Sequence, residues 1–292
     1  MVSRALTYGG VLRDYLLLTK PGIVLLVLIT TLTGMYFAQR GFPDPQLVLW
    51  TLLGTGLASA GSAGLNQFFD RDIDAVMERT RDRPLPSGSI NPRSALLFSL
   101  LLLGLSAVVM LTQVNLLATL LVLFASLFYV VVYTLTLKRR SSLATEVGGI
   151  SGAMPPVVGY AAVKGEVGPE ALVLFLIMFL WQPPHFWVLA IKYAEDYKKA
   201  GIPTLPVAKG IWHTKLRTLL YTAGLLPVSL LPSLYGFAGH IYFLSALFLS
   251  LVYLALTVVF TLSKRLNGTL LFFYSVFYMA LLFSVMVFDM RR

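Results

Sequence analysis

The 292-residue sequence predicts an all-α, polytopic membrane bundle of about nine transmembrane helices around a central cavity. Three observations predict it. Only 12% of the residues are charged while 57% are hydrophobic, and a water-soluble domain carries roughly twice that charged share. Apolar runs of about 20 residues recur from one end of the chain to the other, each long enough to cross a hydrocarbon core. The basic residues fall mainly in alternate connections, as expected of a chain that weaves through a bilayer.

The runs place spans at 22–39, 46–68, 94–113, 116–137, 143–163, 169–191, 216–236, 240–262 and 269–288. Gly and Pro interrupt the fifth and the seventh; a membrane tolerates such breaks where neighbours or a polar cavity satisfy the freed backbone. Small residues from Gly54 to Gly64 crowd the second, which suits close helix packing and also leaves room for a bulky ligand. No polar stretch is long enough for a separate soluble domain, so residues 1–292 read as one membrane domain. The first 20 residues are too mixed for a cleavable signal. A faint echo between the polar segments after spans two and six hints at two four-helix halves plus one helix.

Of the 23 Lys and Arg, 19 fall at the N-terminus or after the even-numbered spans. Arg40, Lys164, Arg291 and Arg292 are on the other side. This asymmetry puts the N-terminus in the cytoplasm and the C-terminus outside a cell membrane. The net charge of +10 then reflects basic loops beside anionic lipid and not a nucleic-acid partner. The chain has no Cys, which excludes disulfides, thiolate metal sites and thiol catalysis.

Basic loops do not account for the acids threaded among them. Asp70, Asp72, Asp74, Glu78 and Asp82 follow span two. If that span continues as a helix, Asn66, Asp70 and Asp74 share one face, and Glu78 extends the row. Like charges at that spacing repel, and a cation would relieve them. Such hard oxygens suit Mg²⁺ completed by phosphate oxygens. Arg79, Arg81 and Arg83 lie close by, with the planar fork that fits phosphate. Pro84, Pro86 and Gly88 mark an ordered turn. After span six, Asp196 and Glu195 are candidates for a second Mg²⁺, and Lys198 and Lys199 for phosphate. Lys138, Arg139 and Arg140 are topogenic charges or phosphate ligands. His185, behind two prolines in an apolar run, is a structural residue, a proton relay or an iron ligand. An acid-lined mouth on an apolar chamber suits activation of a lipid diphosphate: cations stabilise the leaving group while the hydrocarbon stays in the cavity.

Asn66-x-x-x-Asp70-x-x-x-Asp74 resembles the first acidic motif of the UbiA-type intramembrane prenyltransferases. The likeness extends over about residues 15–290. Thr19-Lys20-Pro21-Gly22, Arg83-Pro-Leu-Pro-Ser-Gly88, Gly152-Ala-x-Pro155-Pro156, Trp181-Gln-x-Pro-His-Phe-Trp187 and Ala200-Gly-Ile-Pro203 are similar to the haem O synthase branch. The resemblance implies transfer of farnesyl from farnesyl diphosphate to a vinyl group of haem B, with addition of water and Mg²⁺ as cofactor. It implies metal ligation by Asn66, Asp70, Asp74 and Asp196. Arg83 and Lys199 join these four as catalytic residues, and Lys138, Arg139, Lys198, Tyr193 and His185 bind substrate. It also implies an active site towards the cytoplasm and a downstream haem-modifying or haem-receiving membrane enzyme. Two positions depart from the wider family. Gln67 stands where many members have Asp, and Ala200 replaces the second acid after Asp196, with Lys199 as its substitute. The alternatives are a related enzyme with a quinone-precursor or lipid acceptor, and a polytopic transporter.

Overall fold

A computed structural model describes residues 8–263 and 268–290. Arg4, Lys264, Arg265, Arg291 and Arg292, part of the charge asymmetry, lie outside the described residues. The described chain is helical apart from one isolated bridge, Ala238 to Met290. In order the helices are α1 Tyr8–Leu18, α2 Pro21–Gln39, α3 Pro45–Val76, α4 Pro92–Gln113, α5 Leu116–Leu127, α6 Ala144–Lys164, α7 Pro169–Lys192, α8 Ala194–Lys199, α9 Leu205–Lys209, α10 Ile211–Leu234, α11 His240–Leu262 and α12 Thr269–Phe288. A π-helical stretch, Phe128–Leu137, continues α5.

Among the described residues, seven helices are long and apolar enough to span a membrane: α2, α3, α4, α5 with its π continuation, α7, α11 and α12. The expected fifth and seventh spans are present as the helices α6 and α10 but are not among these seven. Their Gly, Pro and charged residues dilute the apolar signal. Pro155 and Pro156 lie inside α6, and Pro227 and Pro232 inside α10.

Helix starts follow local chemistry. Pro occupies the first turn of α2, α3, α4 and α7, where its missing N–H costs nothing. Asp44 caps α3 by accepting from the Leu47 N–H at 2.9 Å, and Asn91 caps α4 through Arg93 at 2.9 Å. Asn115 accepts from the Ala118 N–H at 2.8 Å and donates to the Ala161 carbonyl at 2.9 Å, tying α5 to the far end of α6. Lys20, at φ 52°, holds the left-handed turn that joins α1 to α2.

The largest apolar core joins α7, α10, α11 and α12; smaller ones lie among α2 to α7. The second span's small residues do both jobs expected of them. Gly54, Gly61 and Gly64 face α4, where a Cβ on Gly61 would sit 2.7 Å from the Ser99 carbonyl. Ala58, Ser59, Ser62 and Ala63 line a cavity instead. The backbones of α2 and α6 meet through Gly34, against Pro156, and Gly159, against Thr31. Gly159→Ala is expected to force these helices apart, because a Cβ there would lie 3.0 Å from the Met35 nitrogen and closer still to the Thr31 carbonyl. Overpacking of this kind costs about 1–3 kcal/mol. A lower melting temperature in detergent checks it.

Candidate active site

The second span does not stop at 68: α3 runs on to Val76, so the acidic row is helical and projects from the end of a membrane helix. Asn66, Asp70 and Asp74 share its inner face and are 3%, 1% and 2% exposed. Glu78 does not extend the row, because α3 ends at Val76 and Met77 turns the chain to extended backbone; Glu78 is exposed.

Each buried acid has a cation. Lys138 Nζ lies 2.5 Å from Asp70 Oδ2, and Arg83 Nη1 lies 2.7 Å from Asp74 Oδ2. Asn66 joins three elements. Its amide donates to Asp70 Oδ2 at 2.7 Å and to Thr134 Oγ1 at 3.1 Å, and its Oδ1 accepts from Lys20 Nζ at 2.7 Å. Burial first, then the Arg83 and Lys138 charges, push Lys20 down to about 7. Asp70 Oδ1 is buried with no hydrogen-bond partner among the described residues.

Two devices position these cations. The first is the turn after Met77: Thr80 donates to the Asp74 carbonyl at 3.0 Å, and Ser87, Ser89 and the Ile90 N–H all donate to the Pro84 carbonyl. Gly88, at φ +76°, supplies the left-handed residue this turn needs. The second is the π-helix. Thr134 donates to the Tyr129 carbonyl at 2.9 Å, and the Lys138 N–H donates to the Tyr133 carbonyl at 2.8 Å, both across five residues. The widened turn stacks Tyr129 on Tyr133 at 5.5 Å and delivers Lys138 to Asp70.

Lys20, Tyr129 and Tyr133 also line a cavity of about 400 Å³ between α2, α3, α5, α6 and α7. Its wall is otherwise mostly apolar or small, including Ala58, Val122, Gly149, Pro155 and Val158. The polar cluster therefore sits at one end of a greasy chamber. It holds an anion beside a cation while an attached hydrocarbon is kept from water.

The structure brings Asn66, Asp70, Asp74, Arg83 and Lys138 together. Arg139 stands next to them but faces out, gripping exposed Asp72 through two bonds of 2.7 and 2.8 Å. Tyr193 lies under the Arg79 guanidinium at 5.0 Å, and Arg79 donates to the Tyr197 hydroxyl at 3.3 Å. Tyr197 packs with Ile73 and Met77, which seats α8 against the end of α3. Asp196, Lys198 and Lys199 ride on α8 with no side-chain partner among the described residues. His185 lies between the Trp181 and Phe272 rings, at 4.7 and 4.6 Å, and bonds Ser275 Oγ at 2.7 Å. That places it between α7 and α12, while its neighbours Gln182 and Phe186 line the cavity. Gln67 is no ligand: its amide donates to the Leu17 and Leu18 carbonyls and fastens α1 to α3.

Sequence reasoning missed Lys20 as a site residue, Thr134, and the pair of buried Glu146 and partly exposed Arg217, whose atoms lie 2.5 Å apart. A lone cation directly before the first apolar run, on the side of Asp70, was the available signal for Lys20. Thr134 and the pair carry none.

The sequence pattern of the UbiA prenyltransferase family matches residues 27–285. The chain belongs to the UbiA prenyltransferase family. It is therefore a prenyl-transferring membrane enzyme, which replaces the transporter alternative. Among this UbiA protein's relatives is one named protoheme IX farnesyltransferase from Aquifex aeolicus strain VF5. It is 59% identical over 292 residues, covering 100% of both chains. Solved structures share the fold. The chain of a structure described under digeranylgeranylglyceryl phosphate synthase in membranes is 20% identical with a TM-score of 0.80, covering 96% of this chain and 98% of that one. A UbiA homologue from Archaeoglobus fulgidus bound to GPP and Mg²⁺ is 22% identical with a TM-score of 0.62, covering 94% and 99%.

Proposed function

We propose that this UbiA enzyme is a protohaem IX farnesyltransferase, forming haem O from haem B, farnesyl diphosphate and water. The observation that carries it is the 59% identity, from end to end, to the Aquifex protein of that name. The whole chain, 1–292, acts as one catalytic unit in a cell membrane, its acidic mouth and N-terminus on the cytoplasmic side. The charge distribution supports this orientation: four described ion pairs cluster on the side of Asp70, and the pair of Arg40 and Glu170 lies at the opposite helix ends.

Mg²⁺ fits the donor set. Asp70 offers a buried carboxylate oxygen without a partner, and Asn66 and Asp74 present further hard oxygens on the same face. When bound there it would neutralise diphosphate oxygens and favour their departure. A second ion on Asp196 is a finer proposal that rests on its place beside the end of α3. Three cations, Lys20, Arg83 and Lys138, face two carboxylates, Asp70 and Asp74. With Lys20 protonated the five side chains sum to +1, which offsets the net −1 of one Mg²⁺ with a trianionic diphosphate.

On loading, Lys20 turns from Asn66, and Arg83 and Lys138 from Asp74 and Asp70, to the diphosphate oxygens and stabilise them as the C1–O bond breaks. Arg139, Lys198 and Lys199 add positive potential at the mouth. Tyr129 and Tyr133 present ring faces to the allylic cation and exclude water until the acceptor arrives. The haem vinyl π bond attacks C1, and water captures the new cation beside the porphyrin and releases a proton. His185 acts on the porphyrin side by fixing α7 against α12, so that its neighbours Gln182 and Phe186 face the cavity. The haem O passes to a haem-modifying or haem-receiving membrane enzyme.

The purified protein given haem B, farnesyl diphosphate and Mg²⁺ is expected to yield a product heavier by one farnesyl group and one hydroxyl group in mass spectrometry. Prenylation of a hydroxybenzoate with no haem product would sink the assignment.

A further inference from the structure

We infer that the closed end of the cavity, formed by Thr55, Val122 and Val158, measures the prenyl chain and stops it at three isoprene units. This rests on the prenyl-diphosphate reading of the site proposed above.

Three helices give the chamber the same depth. On α3 Asn66, which holds the lining residue Lys20, stands eleven residues above Thr55 at the floor; along α5 and its π continuation Tyr133 to Val122 is also eleven; on α6, Thr145 to Val158 is thirteen. At 1.5 Å per residue these are roughly 16 to 20 Å. The twelve-carbon main chain of a farnesyl group, at about 1.5 Å per C–C bond laid in zigzag, extends roughly 15 Å. A fourth unit adds roughly a further 5 Å, about one helical turn, for a total of roughly 20 Å that overruns the α3 and α5 walls and takes up the whole of the α6 wall.

That extra turn is filled. One turn beyond the floor stand Ala118 on α5 and Ala162 on α6, which pack with Met110 of α4, Ala58, Val122 and Val158 in a single buried cluster. Met110 is fully buried and presses on Gly54 of α3, so the space below Thr55 is closed by side chains and not by solvent. Thr55 itself is anchored, donating to the Thr51 carbonyl at 2.7 Å. Val122 and Val158 are 3% and 1% exposed and cannot swing out of the way into lipid. Their β-branched stems are also stiff at χ1. Trimming both valines to alanine removes four methyl groups from the floor, about the bulk of the five-carbon fourth unit, while Ala118, Ala162 and Met110 stay in place. Ala58 sits one turn above Thr55 on the lining face, so enlarging it raises the floor.

The test uses the full-length protein in detergent with Mg²⁺ and unreactive S-thiolodiphosphate analogues of geranyl, farnesyl and geranylgeranyl chains. Dissociation constants are compared for the wild type, the double variant V122A/V158A, and A58M. The wild type is expected to prefer the farnesyl over the geranylgeranyl analogue by roughly tenfold or more, the scale on which hydrophobic pockets tell chain increments apart. V122A/V158A should erase that preference, and A58M should shift it towards geranyl. Equal binding of farnesyl and geranylgeranyl analogues by the wild type overturns the proposal. So do unshifted ratios in the variants. Because binding is read without an acceptor, failure of the haem assay leaves this outcome intact, whereas a wild type that binds none of the three analogues refutes the underlying reading.

Discussion

Asp70→Asn is expected to abolish prenyl transfer while the helical bundle stays folded. Asp70 is the centre of the cluster: Oδ2 accepts from both Asn66 and Lys138, and Oδ1 is the buried oxygen without a partner. The amide keeps the shape and one acceptor but removes the charge that holds a divalent cation. A single electrostatic donor to a developing charge is commonly worth 10²- to 10³-fold, and loss of the metal removes more than one such contact. Turnover should therefore drop by roughly 10³-fold or more. Stability should fall by less than on loss of the lysine, since no cavity opens and Lys138, 17% exposed against 1% for Asp70, regains solvent at the mouth more readily than the carboxylate would. Circular dichroism and size-exclusion profiles report the fold, and the farnesylation assay reports the rate. Undiminished turnover in this variant refutes the metal assignment.

Lys138→Met is expected to lower kcat/KM by roughly 10²-fold and to make the stability of the protein depend on Mg²⁺. The lysine is mostly buried, with its ammonium 2.5 Å from a carboxylate that is 1% exposed. Removing one member of a buried pair strands the other charge, at a cost of about 3–5 kcal/mol. A bound cation supplies the missing charge. Mg²⁺ should thus raise the melting temperature of this variant more than that of the wild type. The double variant D70N/K138M should regain stability without metal and remain inactive. A Lys138→Met enzyme with normal kinetics would remove the lysine from the diphosphate site.

The acids were legible in the sequence because carboxylates at the end of an apolar run have no lipid-facing explanation, and their four-residue spacing needs only a continuing helix. Lys138 and Arg83 were legible as cations on the same side. Their partners were not: Lys138 reaches Asp70 across 68 positions, and Lys20 reaches Asn66 across 46. No local pattern encodes such a pairing. Gln67 misled for a related reason. Its place beside Asn66 suggested a lost ligand, whereas its amide satisfies the last carbonyls of α1. The short helices α1, α8 and α9 went unseen, since a run of five to eleven residues shows too little periodicity to separate from loop. The weakest spans, α6 and α10, were weak for a physical cause. α6 surrenders apolar side chains so that its backbone can touch α2 at Gly159, and Gly148 makes room for the Tyr133 ring.

The wide turn over Phe128–Leu137 makes the number of residues, and not only their identity, part of the active site. Its hydrogen bonds reach one residue further than those of an α-helix. Loss of any single residue between Tyr129 and Lys138 would let the segment tighten into the ordinary form, and all that follows would rotate by about 100°. Lys138 would then leave Asp70 with every letter of the cluster still in place. Substitutions along this stretch are thus easier to absorb than deletions. A chimaera spliced from two relatives must keep the count here before it keeps the side chains.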